Sequence, residues 1–316
     1  MFRSIFSLGR GSSSAEDENQ QKSEYIFPKV DPKEDGPDCL KDCADCTLQY
    51  PAKFSIDTHR QLYGHIKPFT THILVATGKS DWARKVETEK GSLMEALHES
   101  SATSKYGRVM ISASNLNAVS KDGDPEDATT VLILPSFTFV DSVTSRDIPE
   151  LIERFVAPAA KKQPNDNAED AAVSETQPQE EMTSSSSSRL TSRPCVHDYV
   201  VLLCSHKRRD ARCGISAPLI KRELERHLRP LGLYRDADDE RPGGVGIYYV
   251  SHVGGHKFAA NVLVYRKKEQ QMIWLARIRP EHCEGIVKYT ILKGKVVHPE
   301  SQLRGGFDRA RGLTSW

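Results

Sequence analysis

Residues 199–207 read YVVLLCSHK, an apolar run that ends at Cys204 and passes into a basic loop. Tyr199 to Leu203 has the make-up of a buried strand, apolar throughout and rich in branched side chains. Residues 71–79, THILVATGK, carry the same pattern 128 positions earlier. The match extends outward, with RVMISASN against IYYVSHVG and TTVLILPSFTF against ANVLVYRKKEQ. A closing segment, 147–155, sets Ile148, Leu151, Ile152 and Phe155 on one helical face and has its counterpart in 279–289. A β-α-β-β-β-α order met twice predicts two related α/β units, each with helices packed on a mixed sheet.

The second copy carries chemistry that the first lacks. Cys204 and Cys213 bracket the eight-residue loop SHKRRDAR, and the run Gly246–Val250 leads into SHVGGHKF, with His252 and His256 around Gly254 and Gly255. The two glycines permit a turn tight enough to aim both rings at one point. Taken singly, a thiol at a strand end reads as a small buried hydrophobe and a histidine as a surface group. Two thiols after one strand and two imidazoles after another are also donors enough to close a metal site. The arginines and lysines between the cysteines favour thiolate and offset negative charge. GISAPLIKRELERHL, which follows Cys213, predicts a helix with Ser216 as N-cap and Pro218 in its first turn. The cysteine loop then lies beside a helix amino terminus, where the backbone favours anions. Ala76 stands in the slot of Cys204, and residues 112–115 supply no histidine, so the first copy keeps the scaffold without the ligands.

The segments CSHKRRDARCG, HVGGHKFAANVLVY and IWLARIRPE resemble the thioredoxin-like [2Fe-2S] ferredoxins of the fungal actin-patches-distal family, also called sucrase/ferredoxin-like proteins. The resemblance is close over about residues 195–280 and looser through the amino-terminal half. It implies a thioredoxin-like unit in each half and a [2Fe-2S] cluster held by Cys204, Cys213, His252 and His256. That two-Cys, two-His set is similar to the Rieske arrangement. It also implies an electron carrier rather than a catalyst, working with redox partner proteins in cytosolic redox or iron and oxidative-stress metabolism. Two other readings stay open. One is a Cys2His2 structural zinc site, although the 38 residues between Cys213 and His252 exceed ordinary finger spacing. The other is a thioredoxin-type thiol oxidoreductase, although no C-x-x-C follows the first strand of either half. The last residues, Thr314, Ser315 and Trp316, resemble the tail by which client proteins bind the cytosolic iron–sulfur targeting complex, with Thr314 where an aliphatic residue is usual.

Length and composition set the frame. The 316 residues suffice for two domains, and 38% apolar with 28% charged predicts a soluble globular chain with some disordered length. No run approaches the roughly 18–20 apolar residues of a membrane span. The seven cysteines are unevenly spread, which argues for a reducing compartment. The expected location is the cytoplasm, with the nucleus second and the mitochondrion below both. MFRSIFSLGRG faintly resembles a mitochondrial presequence, but Glu16, Asp17 and Glu18 follow at once and transit peptides are poor in acid. From Cys195 onward 22 Lys and Arg stand against 13 Asp and Glu, so the carboxy-terminal half is basic. The charges are scattered and match no nucleic-acid motif, so an acidic redox partner is expected and nucleic acid is not. DCLKDCADC places Cys39, Cys43 and Cys46 close together, either as packed thiols or as metal ligands with His59 or His65 as a fourth. Residues 157–194 are polar, acidic and serine-rich, too poor in apolar side chains to offset the entropy of ordering them. The expected organisation is a flexible tail over 1–35, a degenerate thioredoxin-like domain over 36–156, a disordered linker over 157–194, and a thioredoxin-like ferredoxin domain with its targeting tail over 195–316.

Overall fold

The computed structural model describes residues 25–119, 125–158, 190–237 and 239–316. Four strands form the amino-terminal half: β1 (Thr71–Ala76), β2 (Val109–Ser114), β3 (Thr129–Leu134) and β4 (Thr138–Val143). They stand in the order β2-β1-β3-β4, with β1 parallel to β2 and antiparallel to β3. Next come an edge strand β5 (Thr191–Pro194), then β6 (Tyr199–Cys204), a two-residue β7 (Tyr234–Arg235), β8 (Val245–Val250), β9 (Val262–Arg266) and β10 (Gln271–Leu275). Here the order is β8-β6-β9-β10, again one parallel pair followed by antiparallel ones. The repeat read from the sequence is therefore a repeat of topology.

The two halves are not separate sheets. The ends of β2 and β8 pair antiparallel at Ser114 and Val250, making one mixed sheet that β11 (Leu303–Asp308) and β12 (Leu313–Ser315) extend beyond β10. Each half has its own core on the helical side, and the two share a third. In β1 and β3, Ile73, Val75, Val131 and Ile133 pack with the helical segments of their own half, including Leu97 and Leu151. In β6 and β9, Val201, Leu203, Val262 and Val264 do the same against Ile220, Leu224 and Ile286. The alternate residues, Leu74, Leu132 and Leu134 from one half and Leu202, Leu263, Tyr265, Met272 and Trp274 from the other, meet in a shared core with no helix in it. Period-2 alternation thus sends one face of each strand to a helix and the other face to the opposite half. The result is an α/β protein of four layers, helices outside and two sheet faces inside.

Three boundaries differ from those expected. Residues 25–35, expected in a flexible tail, pack against the carboxy-terminal half: Phe27 is fully buried in its core and Val30 N–H donates to Val296 O at 3.2 Å. Burying Phe27 alone contributes on the order of 2 kcal/mol. Residues 36–66, expected in the first domain, also wrap the second half. Tyr50 Oη donates to Ile278 O at 2.6 Å, and Asp57 N–H to Lys257 O at 2.8 Å. Residues 191–194, expected at the end of the linker, pair with β4. Residues 159–189, the body of that linker, and residues 1–24 lie outside the described residues. No described helix is long and apolar enough to cross a membrane.

Candidate metal centre

Because β6 and β8 run parallel with Cys204 opposite Val250, the loops that follow them leave the same end of the sheet. This is the edge at which α/β sheets commonly place ligands. Cys204 closes β6, and the loop after it returns into the helix Ala211–Leu228. The N-cap of that helix is Asp210, whose carboxylate accepts from Arg212 N–H at 3.0 Å, and not Ser216 as expected. Ser216 is buried inside the helix, and Pro218 lies in its interior rather than its first turn. The helix therefore begins before Cys213 and carries it in its first turn. Gly214 lets the basic loop close down, since a Cβ there would lie 2.4 Å from Lys207 Cβ. Gly214→Ala is expected to lower stability by about 1–3 kcal/mol through overpacking, although alanine is the better helix former. Denaturant unfolding checks it, and an unchanged or raised midpoint would show that the loop moves aside freely.

Of the four expected residues, Cys204 lies against Cys213 and His252, and the rings of His252 and His256 are neighbours. Cys204 and Cys213 are 2% and 1% exposed and pack with Ala259, Val253, Phe54 and Ile56. The Cys204 thiol lies against both the Cys213 thiol and the His252 ring. The Cys213 hydrogen bond pulls Cys204 well below the usual thiol range, and the same contact pushes Cys213 up. His252 follows β8, and Gly254 and Gly255, both at positive φ, turn the chain so that the His256 ring stands 5.1 Å from the His252 ring. The Nδ1 atoms of both histidines are buried without a hydrogen-bond partner. Two sulfurs and two orphaned imidazole nitrogens at one strand end form a donor set that suits iron–sulfur or zinc chemistry. Burial holds His256 below the ordinary histidine range, in the neutral form that ligates.

Several supporting residues were not legible beforehand. His206 Nε2 lies 3.1 Å from Trp82 O and 2.9 Å from Ala83 O. That nitrogen therefore carries the proton, and Nδ1 accepts the His252 N–H at 3.3 Å. The ligand-free half thus orients a residue of the candidate site across the seam. Asp210 reaches His256 Nε2 at 3.8 Å. Phe54 and Ile56 cover the thiols from the amino-terminal wrap, a stretch with no periodicity to announce it. The cysteines Cys39, Cys43 and Cys46 do not join this set. Cys39 is buried against Val30 and Val297, while His59 and His65 are exposed. Trp316 is half-buried against Phe69 and Phe307, with ring centroids 5.1 and 6.0 Å away, and the residues before it form β12.

The chain was compared with known proteins. A family model described as sucrase/ferredoxin-like matches residues 62–305. Actin patches distal protein 1 of Saccharomyces cerevisiae is 28% identical over 309 residues, covering 92% of this chain and 93% of that protein. Altered inheritance of mitochondria protein 32 of Clavispora lusitaniae is 41% identical over 102 residues, which is 32% of this chain and 33% of that protein. Its namesake in Meyerozyma guilliermondii is 35% identical over 102 residues, with the same shares. No solved structure matches the chain.

Proposed function

The chain belongs to the sucrase/ferredoxin-like family, and we propose that it is a one-electron carrier whose [2Fe-2S] cluster is held by Cys204, Cys213, His252 and His256. The observation that carries this reading is the pairing of two touching, buried thiols with two imidazoles whose buried Nδ1 atoms have no partner. When bound, such a cluster supplies a one-electron redox couple. The surrounding residues set its conditions. Phe54, Ile56, Val253 and Ala259 exclude water from the thiol side. His256, with its side chain 41% exposed, marks the side open to a partner. A cavity of 320 Å³ beside His252 is lined by Arg84, Arg108 and Arg209 against one acid, Glu87, a net positive surface suited to an acidic redox partner. The shared order β2-β1-β3-β4 and β8-β6-β9-β10 supports reading each half as a thioredoxin-like unit, one of which has kept only a scaffolding role.

Anaerobic purification followed by iron and acid-labile sulfide assays and a visible spectrum tests the proposal. About two iron and two sulfide per chain with visible absorption are expected. A colourless chain that holds zinc and no sulfide would sink it. The histidines carry a second expectation. His252→Cys or His256→Cys replaces a neutral donor by an anionic one, which favours the oxidised state and lowers the midpoint potential by roughly 100 mV or more. Redox titration checks this, and an unchanged potential in both variants would mean that neither residue is a ligand.

A further inference from the structure

On the helical side of the carboxy-terminal half, Cys43, His227 and Glu284 place a sulfur, a ring nitrogen and a carboxylate oxygen all within 4.8 Å of one another. Three distant segments meet there. Cys43 belongs to the amino-terminal wrap and is held by its N–H, which donates to Glu281 O at 3.0 Å. His227 stands in the last turn of the helix Ala211–Leu228, and Glu284 in the short helix Cys283–Gly285. One atom shows how the first two are aimed. Arg226 Nη2 donates to Cys43 Sγ at 3.3 Å and lies 3.1 Å from His227 Nε2, so both lone pairs converge on one place. That guanidinium has an anchor of its own, because its Nε donates to Glu223 Oε2 at 2.8 Å, and its side chain is 38% exposed. A ligand at this place requires that Nη2 to move off Cys43 and His227.

We propose that Cys43, His227 and Glu284 bind a divalent ion of the zinc class, which clips the amino-terminal wrap onto the helical face. Thiolate, imidazole and carboxylate are the three ligand types zinc prefers, and together they exclude hard cations such as magnesium. Bond lengths of about 2.0–2.3 Å require the donors to close to roughly 3.3–3.8 Å, a shift of about 1 Å from their present spacing. Two anionic ligands neutralise the ion, Glu223 retains the charge of Arg226, and Glu284 shares its charge between the ion and Lys288, with which it now pairs. Three protein ligands leave one position for water. The site is independent of the iron–sulfur reading, since it shares no residue with it.

Cobalt(II) is the probe, added to the full-length chain with its Cys204, Cys213, His252 and His256 set already loaded, and followed by difference spectroscopy. One equivalent is expected to bind, with a thiolate-to-cobalt charge-transfer band in the near ultraviolet. The band is expected to vanish in Cys43→Ser, to need at least tenfold more cobalt in Glu284→Gln, and to persist in Cys204→Ser/Cys213→Ser. A band unaffected by Cys43→Ser, or lost in Cys204→Ser/Cys213→Ser alone, would place the ion elsewhere and overturn the proposal, as would absence of binding. Zinc supplies a second readout. A chelator is expected to lower the melting temperature of the zinc-loaded wild type and leave that of Cys43→Ser unmoved. An equal drop in both would also overturn it.

Discussion

Cys204→Ser and Cys213→Ser are each expected to reduce iron content to background, while Cys195→Ser and Cys283→Ser keep it near the wild-type level. All four thiols are buried, so burial does not distinguish them. Placement does. Cys204 touches both Cys213 and the His252 ring at the carboxyl end of β6. Cys195 sits in the core shared by the two halves, and Cys283 packs beneath the long helix, its Sγ 3.9 Å from Ile220 O. A serine in place of a ligand thiolate offers a weaker, protonated donor, so the loss is all or nothing rather than graded. Iron and sulfide assays on the four variants decide it. Loss of iron in Cys195→Ser as complete as in Cys204→Ser would refute the assignment.

The second large effect concerns acid. His72 is fully buried on β1, its ring between Tyr265 Oη and Ser112 Oγ at 3.0 Å each. Burial, with a smaller push from Arg108, lowers it from 6.5 to about 3. Between these values the unfolded chain binds a proton that the folded chain refuses, so stability falls as pH falls. The loss begins near pH 6.5, approaches about 1.4 kcal/mol per pH unit, and stops near pH 3. Above pH 6.5 the residue contributes no slope. Urea unfolding at pH 7 and pH 4.5 is expected to show a steeper decline for the wild type than for His72→Gln, which preserves polar reach without a titrating ring. Parallel declines would mean that His72 is protonated in the folded state.

The alternation of β1, β3, β6 and β9 was readable because both faces of those strands are apolar, which fixes them as buried strands. What covers the inner face was not readable. A second sheet and a helix demand the same side chains, and the choice depends on contacts such as His72 with Tyr265, 193 residues apart. The parallel pairing of β6 with β8 explains why Cys204 and His252 were recognisable as neighbours from sequence. The helix start was misplaced for a specific reason. Pro218 suggested a first turn, yet the residue four before it is Gly214, and the chain tolerates the proline in the helix interior. The wrap over residues 25–66 escaped notice because its anchors, Phe27, Tyr50, Phe54 and Ile56, are too few and too far apart to sustain either a helical or a strand period.

That wrap gives the order of synthesis a meaning. Its residues leave the ribosome before the groups that hold them, Lys257 O, Ile278 O, Glu281 O and Val296 O, which are made 200 or more residues later. Until then Phe54 and Ile56 have no cysteine to cover. The thiols and imidazoles are thus all translated before the wrap is able to close over the thiols, which leaves an interval, set by elongation and docking, in which Cys204 and Cys213 stand uncovered.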